Sequence, residues 1–89
     1  MQIEEIEKFL DTKITTENKY IKIDFKKRDT IYGLFVKDRD YNDLKSKNFW
    51  RIVTRTNFNE WKKSKNNNLA KIFSGSDFSK LTLSKEDFN

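Results

Sequence analysis

The stretch Ile72-Phe73-Ser74-Gly75-Ser76-Asp77-Phe78-Ser79-Lys80-Leu81-Thr82-Leu83 decides the fold of this chain. It reads as two short strands joined by a tight polar corner. Ile72 and Phe73 close one strand, and Phe78, Leu81 and Leu83 supply the apolar residues of the next. Gly75 is one of two glycines in the sequence, so it is expected where the backbone needs φ > 0 or a sharp bend. In a small barrel such a corner lets the last strand close the sheet. Ser76-Asp77-Phe78 is expected to tighten into a 3₁₀ turn.

Upstream of the corner, further strands follow from alternation and from aromatic and β-branched composition. Residues 19–26 place Ile21, Ile23 and Phe25 on one face and Lys22, Asp24 and Lys26 on the other. Residues 30–37 are apolar on both faces and contain Gly33, which marks a bulge, a bend or a close backbone approach. A strongly bent strand serving two layers of a barrel accounts for both features. Lys27-Arg28-Asp29 turns between these two strands. Residues 48–56 form a third strand, with Trp50 and Ile52 pointing to the core and Phe49, Arg51, Val53 and Arg55 on the other face. Residues 69–74 and 78–83 are the fourth and fifth.

Helices flank these strands. Ile3, Ile6 and Leu10 recur at helical spacing over residues 2–11, with Phe9 beside them and Glu4, Glu5, Glu7 and Lys8 outward. About three turns cannot persist alone in water, so this helix must dock, most simply over one end of a barrel. Residues 12–18 read as a connection or a short extended piece, and residues 38–47 as a polar loop. Asn57-Phe58-Asn59-Glu60 fits an N-cap with an acidic third helical position, which starts a helical turn over 58–64. Ser84 to Asn89 reads as a frayed tail.

The order is a short helix, then five strands, with one glycine in the second strand and one at the last corner. This resembles the Sm-like family and, more broadly, the SH3-like small barrels. Gly33, Phe35, Asp38 to Asn42 and Leu44 follow the order of the first Sm-like signature. Ile72-Phe73-Ser74-Gly75-Ser76-Asp77-Phe78 follows the second. The resemblance spans roughly residues 2–83. It implies a mainly β domain: a five-stranded antiparallel SH3-like (Sm-like) barrel with an N-terminal α-helix and a short helical turn before strand 4. It also implies RNA contact near Asn42 and Gly75. Two positions depart from the family pattern: Asn42 falls one residue early relative to Gly33, and Ser74 stands where the family usually has Arg. The resemblance therefore bears on fold more than on RNA contact.

At 89 residues the chain makes one domain. Eight Phe, two Trp and three Tyr compensate for an apolar fraction of 35%, because each ring buries a large area. The absence of Cys and His excludes disulfides, thiolate chemistry, imidazole bases and the usual zinc sites. No apolar run approaches the roughly 18–20 residues that cross a membrane. The acidic N-terminus does not read as a secretory signal, and a cytoplasmic location is expected.

No enzyme is expected: without His or Cys an active site would need carboxylates, Lys, Ser or Tyr, the one dense acidic cluster is Asp38, Asp40 and Asp43, and two isolated glycines cannot build a dinucleotide loop. Asp38-x-Asp40-x-Asn42 opens like a calcium loop, but Asp43 and Phe49 stand where Gly and Glu are required. No cofactor or metal is expected.

The net charge of +5 is unevenly spread: residues 48–71 carry +5, residues 19–29 carry +3 and residues 1–18 carry −3. Lys and Asn enrichment also follows from a genome rich in A and T, so charge position is the better guide. Arg51, Arg55, Lys62, Lys63, Lys65 and Lys71, with aromatics nearby, suit a nucleic-acid backbone with stacked bases. An ordinary solvated Lys-rich face is the bland alternative. Tyr20, Tyr32 and Tyr41 are either stacking platforms or half-buried core residues, and Trp61 is either core or an interface anchor.

The sequence thus reads as a non-enzymatic small basic binding module with single-stranded RNA as the first-choice partner. Arg51, Arg55, Lys62, Lys63, Lys65, Tyr41, Asn42 and Gly75 are its candidate contacts. The alternative is a protein-interaction or homo-oligomer-forming subunit with no nucleic-acid role.

Overall fold

A computed structural model describes residues 1–13 and 19–87. The elements run α1 (Ile3–Lys13), β1 (Lys19–Phe25), β2 (Ile31–Phe35), α2 (Tyr41–Ser46), β3 (Phe49–Thr54), α3 (Phe58–Ser64), β4 (Lys71–Ser74) and β5 (Phe78–Asp87). Three 3₁₀ turns, Arg55–Asn57, Asn67–Leu69 and Gly75–Asp77, punctuate them. The domain is mixed: a five-stranded antiparallel sheet with three α-helices among the described residues.

The sheet order is β4-β3-β2-β1-β5. β4 and β5 therefore lie at opposite edges, yet only the turn Gly75–Asp77 separates them. So short a bridge brings the two edges together and forces the sheet to curl. β5 carries extra residues opposite Lys19–Ile21 and Asp24–Phe25, and such bulges add bend and twist. The sheet nevertheless stays open, because no ladder joins β4 to β5. The closed barrel expected from the corner is corrected in this respect.

Both faces of the sheet are covered. Inside the curl, α1 lays Ile6 and Leu10 onto Ile21, Ile23, Phe25, Trp50, Ile52, Phe78 and Leu81. On the opposite face α3 brings Phe58 against Tyr20, Val36, Val53 and Ala70, with Trp61 packed alongside. The two-sided apolar character of β2 has its reason here. Ile31 and Phe35 pack on the first core, while Tyr32 and Leu34 pack on the second. Val53, on the face opposite Trp50 and Ile52, is fully buried for the same reason.

Both glycines sit at close approaches and neither has positive φ. A Cβ on Gly33 would lie 2.5 Å from the Val53 carbonyl oxygen. A Cβ on Gly75 would lie 2.1 Å from Asn48 Oδ1 and 2.7 Å from both Ile6 Cδ1 and Trp50 Nε1. Of the two roles expected at the corner, φ > 0 is absent and the sharp bend is present as the 3₁₀ turn Gly75–Asp77; what Gly75 itself provides is space. Among the described residues, the left-handed ones are Asn48 (φ 62°) and Lys65 (φ 56°).

Three further expectations change. The polar loop over 38–47 contains α2, whose Tyr41 and Leu44 are half-buried. Tyr41 stacks edge-on against Trp50 at 6.1 Å, and Lys45 pairs with Glu7 of α1. Residues 84–87 are not a frayed tail, since β5 runs to Asp87, which pairs with Lys19. α3 begins where expected, but Asn57 makes no side-chain cap. The 3₁₀ turn Arg55–Asn57 runs straight into it, and the Asn57 amide reaches the Leu69 carbonyl instead. Residues 14–18 of the expected connection and 88–89 of the expected tail lie outside the described residues.

Candidate functional site

The basic residues singled out from the sequence separate into distinct surroundings. Arg51 projects from β3 into an ion pair, its Nη2 donating to Asp40 Oδ2 at 2.6 Å. The guanidinium is mostly buried beside the loop that precedes α2, and its Nε finds no acceptor. The side chain serves to anchor that loop, which removes it from the open surface where phosphate contact was expected.

Arg55 stands at the end of β3, where the chain enters a 3₁₀ turn. Its guanidinium carbon lies 4.9 Å from the centre of the Tyr32 ring. The two residues line one groove with Thr30, Ile31, Thr54, Thr56, Asn57 and Lys71, of about 350 Å³. The register explains the meeting: Gly33 pairs with Thr54, so Tyr32 of β2 lies beside the residue that follows β3. Lys71 enters from β4, opposite Ile52. The groove combines two cations, one phenol ring and three threonine hydroxyls. Thr54 and Thr56 share a 3.0 Å hydrogen bond.

Lys62, Lys63 and Lys65 lie on or just after α3 and are exposed. The Lys62 ammonium lies 6.0 Å from the Phe58 ring centre and that of Lys65 5.1 Å from Trp61. Such contacts orient a cation without neutralising it. Trp61 itself is held: its ring packs on Phe58, and its Nε1 donates to Asn67 Oδ1 at 2.9 Å. Asn67 in turn donates to Asp38 Oδ2 at 2.6 Å. Asp38 also accepts from the Arg39 backbone at 2.8 Å. These bonds, the Arg39 one first, hold the Asp38 carboxyl below its ordinary pKa. Both carboxylates of the calcium-like run are thus engaged by protein groups.

Tyr41 is half-buried against Trp50, with the ammonium groups of Lys37 and Lys45 at 5.2 and 5.7 Å from its ring. Burial pushes its phenol pKa up. It belongs to the wall of the first core, whereas its neighbour Asn42 is exposed on α2. Gly75 is buried beneath Asn48 and Trp50 and offers no side chain or open backbone to a ligand. Its N–H donates to the Asn48 carbonyl at 2.7 Å, and its own carbonyl accepts from the Met1 nitrogen at 2.9 Å.

Sequence reasoning missed Tyr32 as the partner of Arg55 and underused Lys26, Lys27 and Arg28. The +3 charge over residues 19–29 was the available signal. Arg28 rests on two rings, 4.9 Å from the centre of Phe25 and 5.4 Å from that of Phe73.

The described residues contain no cluster of three metal-ligating carboxylates and no helix long and apolar enough to cross a membrane. No protein family, curated protein or solved structure matches the chain.

Proposed function

We propose that this chain is a non-enzymatic binding module of the Sm-like or SH3-like kind, and that its partner is single-stranded RNA. The observation that carries the reading is the groove in which Arg55 lies over Tyr32 with Lys71 alongside. Cations attract the phosphate backbone, the ring and the guanidinium plane offer stacking surfaces, and hydroxyls supply neutral hydrogen bonds. The lysines of α3 extend the positive field. The kinship with small barrels is supported by the element order and by the short bridge between the two sheet edges, with the sheet left open between β4 and β5.

Fluorescence anisotropy with a mixed-sequence single-stranded RNA, at low and physiological salt, tests this. Affinity should fall with salt by about 0.7 log units per log unit for each phosphate contact. Arg55→Glu and Lys71→Glu should weaken binding whatever the sequence, since phosphate contacts position a strand without reading its bases. Absence of binding at low salt would overturn the reading.

A second reading, a homo-oligomer-forming subunit, is favoured by the edge strand β4. Ile72 on this strand is 50% exposed and Phe49, on its β3 neighbour, is also exposed. An apolar side chain on an unpaired edge invites another strand. Light scattering that gives a monomer mass at high concentration would remove this alternative.

A further inference from the structure

We propose that the β1–β2 turn carries a second RNA-contacting cleft, beside the Arg55 groove, so that one strand runs from Lys26-Lys27-Arg28 to Lys71 and Arg55. The inference rests on the nucleic-acid reading above and adds a site that the central basic segment does not contain. Phe25, Lys26, Lys27, Arg28, Ser76 and Asp77 line this cleft, of about 460 Å³.

The turn is anchored at both ends. The Lys26 N–H donates to the Asp77 carbonyl at 2.9 Å, and the Thr30 hydroxyl to Asp24 Oδ1 at 2.6 Å. Arg28 is seated on Phe25 and Phe73, which orders its guanidinium before any ligand arrives. Among the described residues, Lys26, Lys27 and Arg28 make no ion pair within 4 Å. Three adjacent cations without carboxylate partners are a strong local attraction for an anionic polymer.

Two relationships put the cleft beside the groove. Along the turn, Arg28 lines the cleft and Thr30 lines the groove, with Asp29 alone between them. Across the sheet, Lys71 and Phe73 pair with Ile52 and Trp50, so alternation puts both on the same face of β4. Lys71 belongs to the groove, and Phe73 carries Arg28. The path thus holds five cations and two places where a guanidinium lies over a ring. A base can stack on an arginine plane while lysines take phosphates. Asp77 repels phosphate and offers an acceptor to the amino edge of a base, which orients the strand with its backbone toward Lys26 and Lys27. A folded acidic protein would gain from the cations but not from the paired stacking planes.

The test is anisotropy with labelled single-stranded RNAs of about 4 and about 12 nucleotides, within the site sizes of small single-strand binders. The double variant Lys26→Gln, Lys27→Gln removes two charges from exposed side chains. Its log affinity should depend on log salt with a slope smaller by about 1.4, two contacts at about 0.7 each. Arg28→Gln should weaken the longer RNA by more than the shorter. Should Arg28→Gln unfold, the lysine pair alone decides. If RNA binds and Arg55→Gln weakens it, while the lysine variant keeps both affinity and slope, the second cleft is refuted and the groove reading stands. If neither RNA binds at low salt, both fall. Binding of poly-glutamate without binding of RNA would likewise overturn the proposal.

Discussion

The Trp50 indole nitrogen lies 2.7 Å from where a Cβ on residue 75 would stand. That nitrogen donates to Asn48 Oδ1 at 2.8 Å, and the same oxygen would lie 2.1 Å from the added carbon. Asn48 holds a left-handed backbone and donates through Nδ2 to the Met1 carbonyl at 3.0 Å. The corner between β4 and β5 is therefore locked to the third strand and to the start of the chain through one asparagine. Only a residue without a side chain fits beneath it.

Gly75→Ala should therefore destabilise the fold by about 1–3 kcal/mol, the range for overpacking a dense interior. Because the glycine has no positive φ, the loss would come from steric contact alone. Urea denaturation measures it. A change under about 0.5 kcal/mol would show that Asn48 and Trp50 move aside freely.

Trp50→Phe should keep most of the packing but leave Asn48 Oδ1 without its indole donor. A part-buried acceptor stripped of its partner costs about 1–3 kcal/mol. Trp50→Ala should cost about 3–5 kcal/mol, since the ring is fully buried in the first core. Similar losses for the two variants would show that the hydrogen bond outweighs the ring.

Lys65→Gly should raise the melting temperature. Lys65 ends α3 with φ 56°, a conformation that costs an L-residue roughly 1–2 kcal/mol and glycine almost nothing. The exposed cation–π contact with Trp61 that is lost is worth about 0.5–1 kcal/mol. A lower melting temperature would mean that this contact outweighs the backbone strain.

Arg51→Ala and Arg55→Ala should have different signatures. Arg51 is paired with Asp40, so its loss should lower stability, by about 1 kcal/mol for a partly exposed pair, and leave RNA affinity nearly intact. Arg55→Ala should lower RNA affinity, since its guanidinium lies over Tyr32 in the groove. Equal effects on RNA affinity would show that the Asp40 pair opens to the ligand.

Stability should fall at both ends of the pH range, for separate reasons. The Asp38 carboxyl is held below its ordinary 3.8 by the Arg39 and Asn67 donors. Its contribution is present above 3.8 and is lost as pH drops through the lower, folded-state value. Tyr41 and Lys45 are both pushed above their ordinary 10.0 and 10.5, by burial and by the hydrogen bond to Glu7 respectively. Their contributions are present below those values and are lost as pH rises through the folded-state ones. Thermal melts across pH check this, and Asp38→Asn should flatten the acid limb without changing the alkaline one.

Features carried by neighbouring residues could be read from the sequence alone. The alternation of Ile21, Ile23 and Phe25 marks β1, the spacing of Ile3, Ile6 and Leu10 marks α1, and Trp50 and Ile52 point to the core as expected. Periodicity of this kind is a local property, since each side chain's direction follows from its own backbone. α2 escaped because polar residues surround Tyr41 and Leu44; what holds it are Trp50 of the following strand and Glu7 of α1, neither of which belongs to its own periodicity. The last residues of β5 escaped because Ser84-Lys85-Glu86-Asp87 has no strand composition, yet the ladder to β1 extends over them.

The fate of the charges was decided by tertiary structure. Arg51 and Arg55 stand four residues apart with the same expected role, but one meets Asp40 and the other Tyr32. The second core beneath α3, which buries Val53, is likewise a product of assembly. Whether a cation is neutralised, seated on a ring or left to solvent depends on which distant element folds against it. Composition and spacing bound how many charges there are, and only the curl of the sheet selects which of them face the same groove.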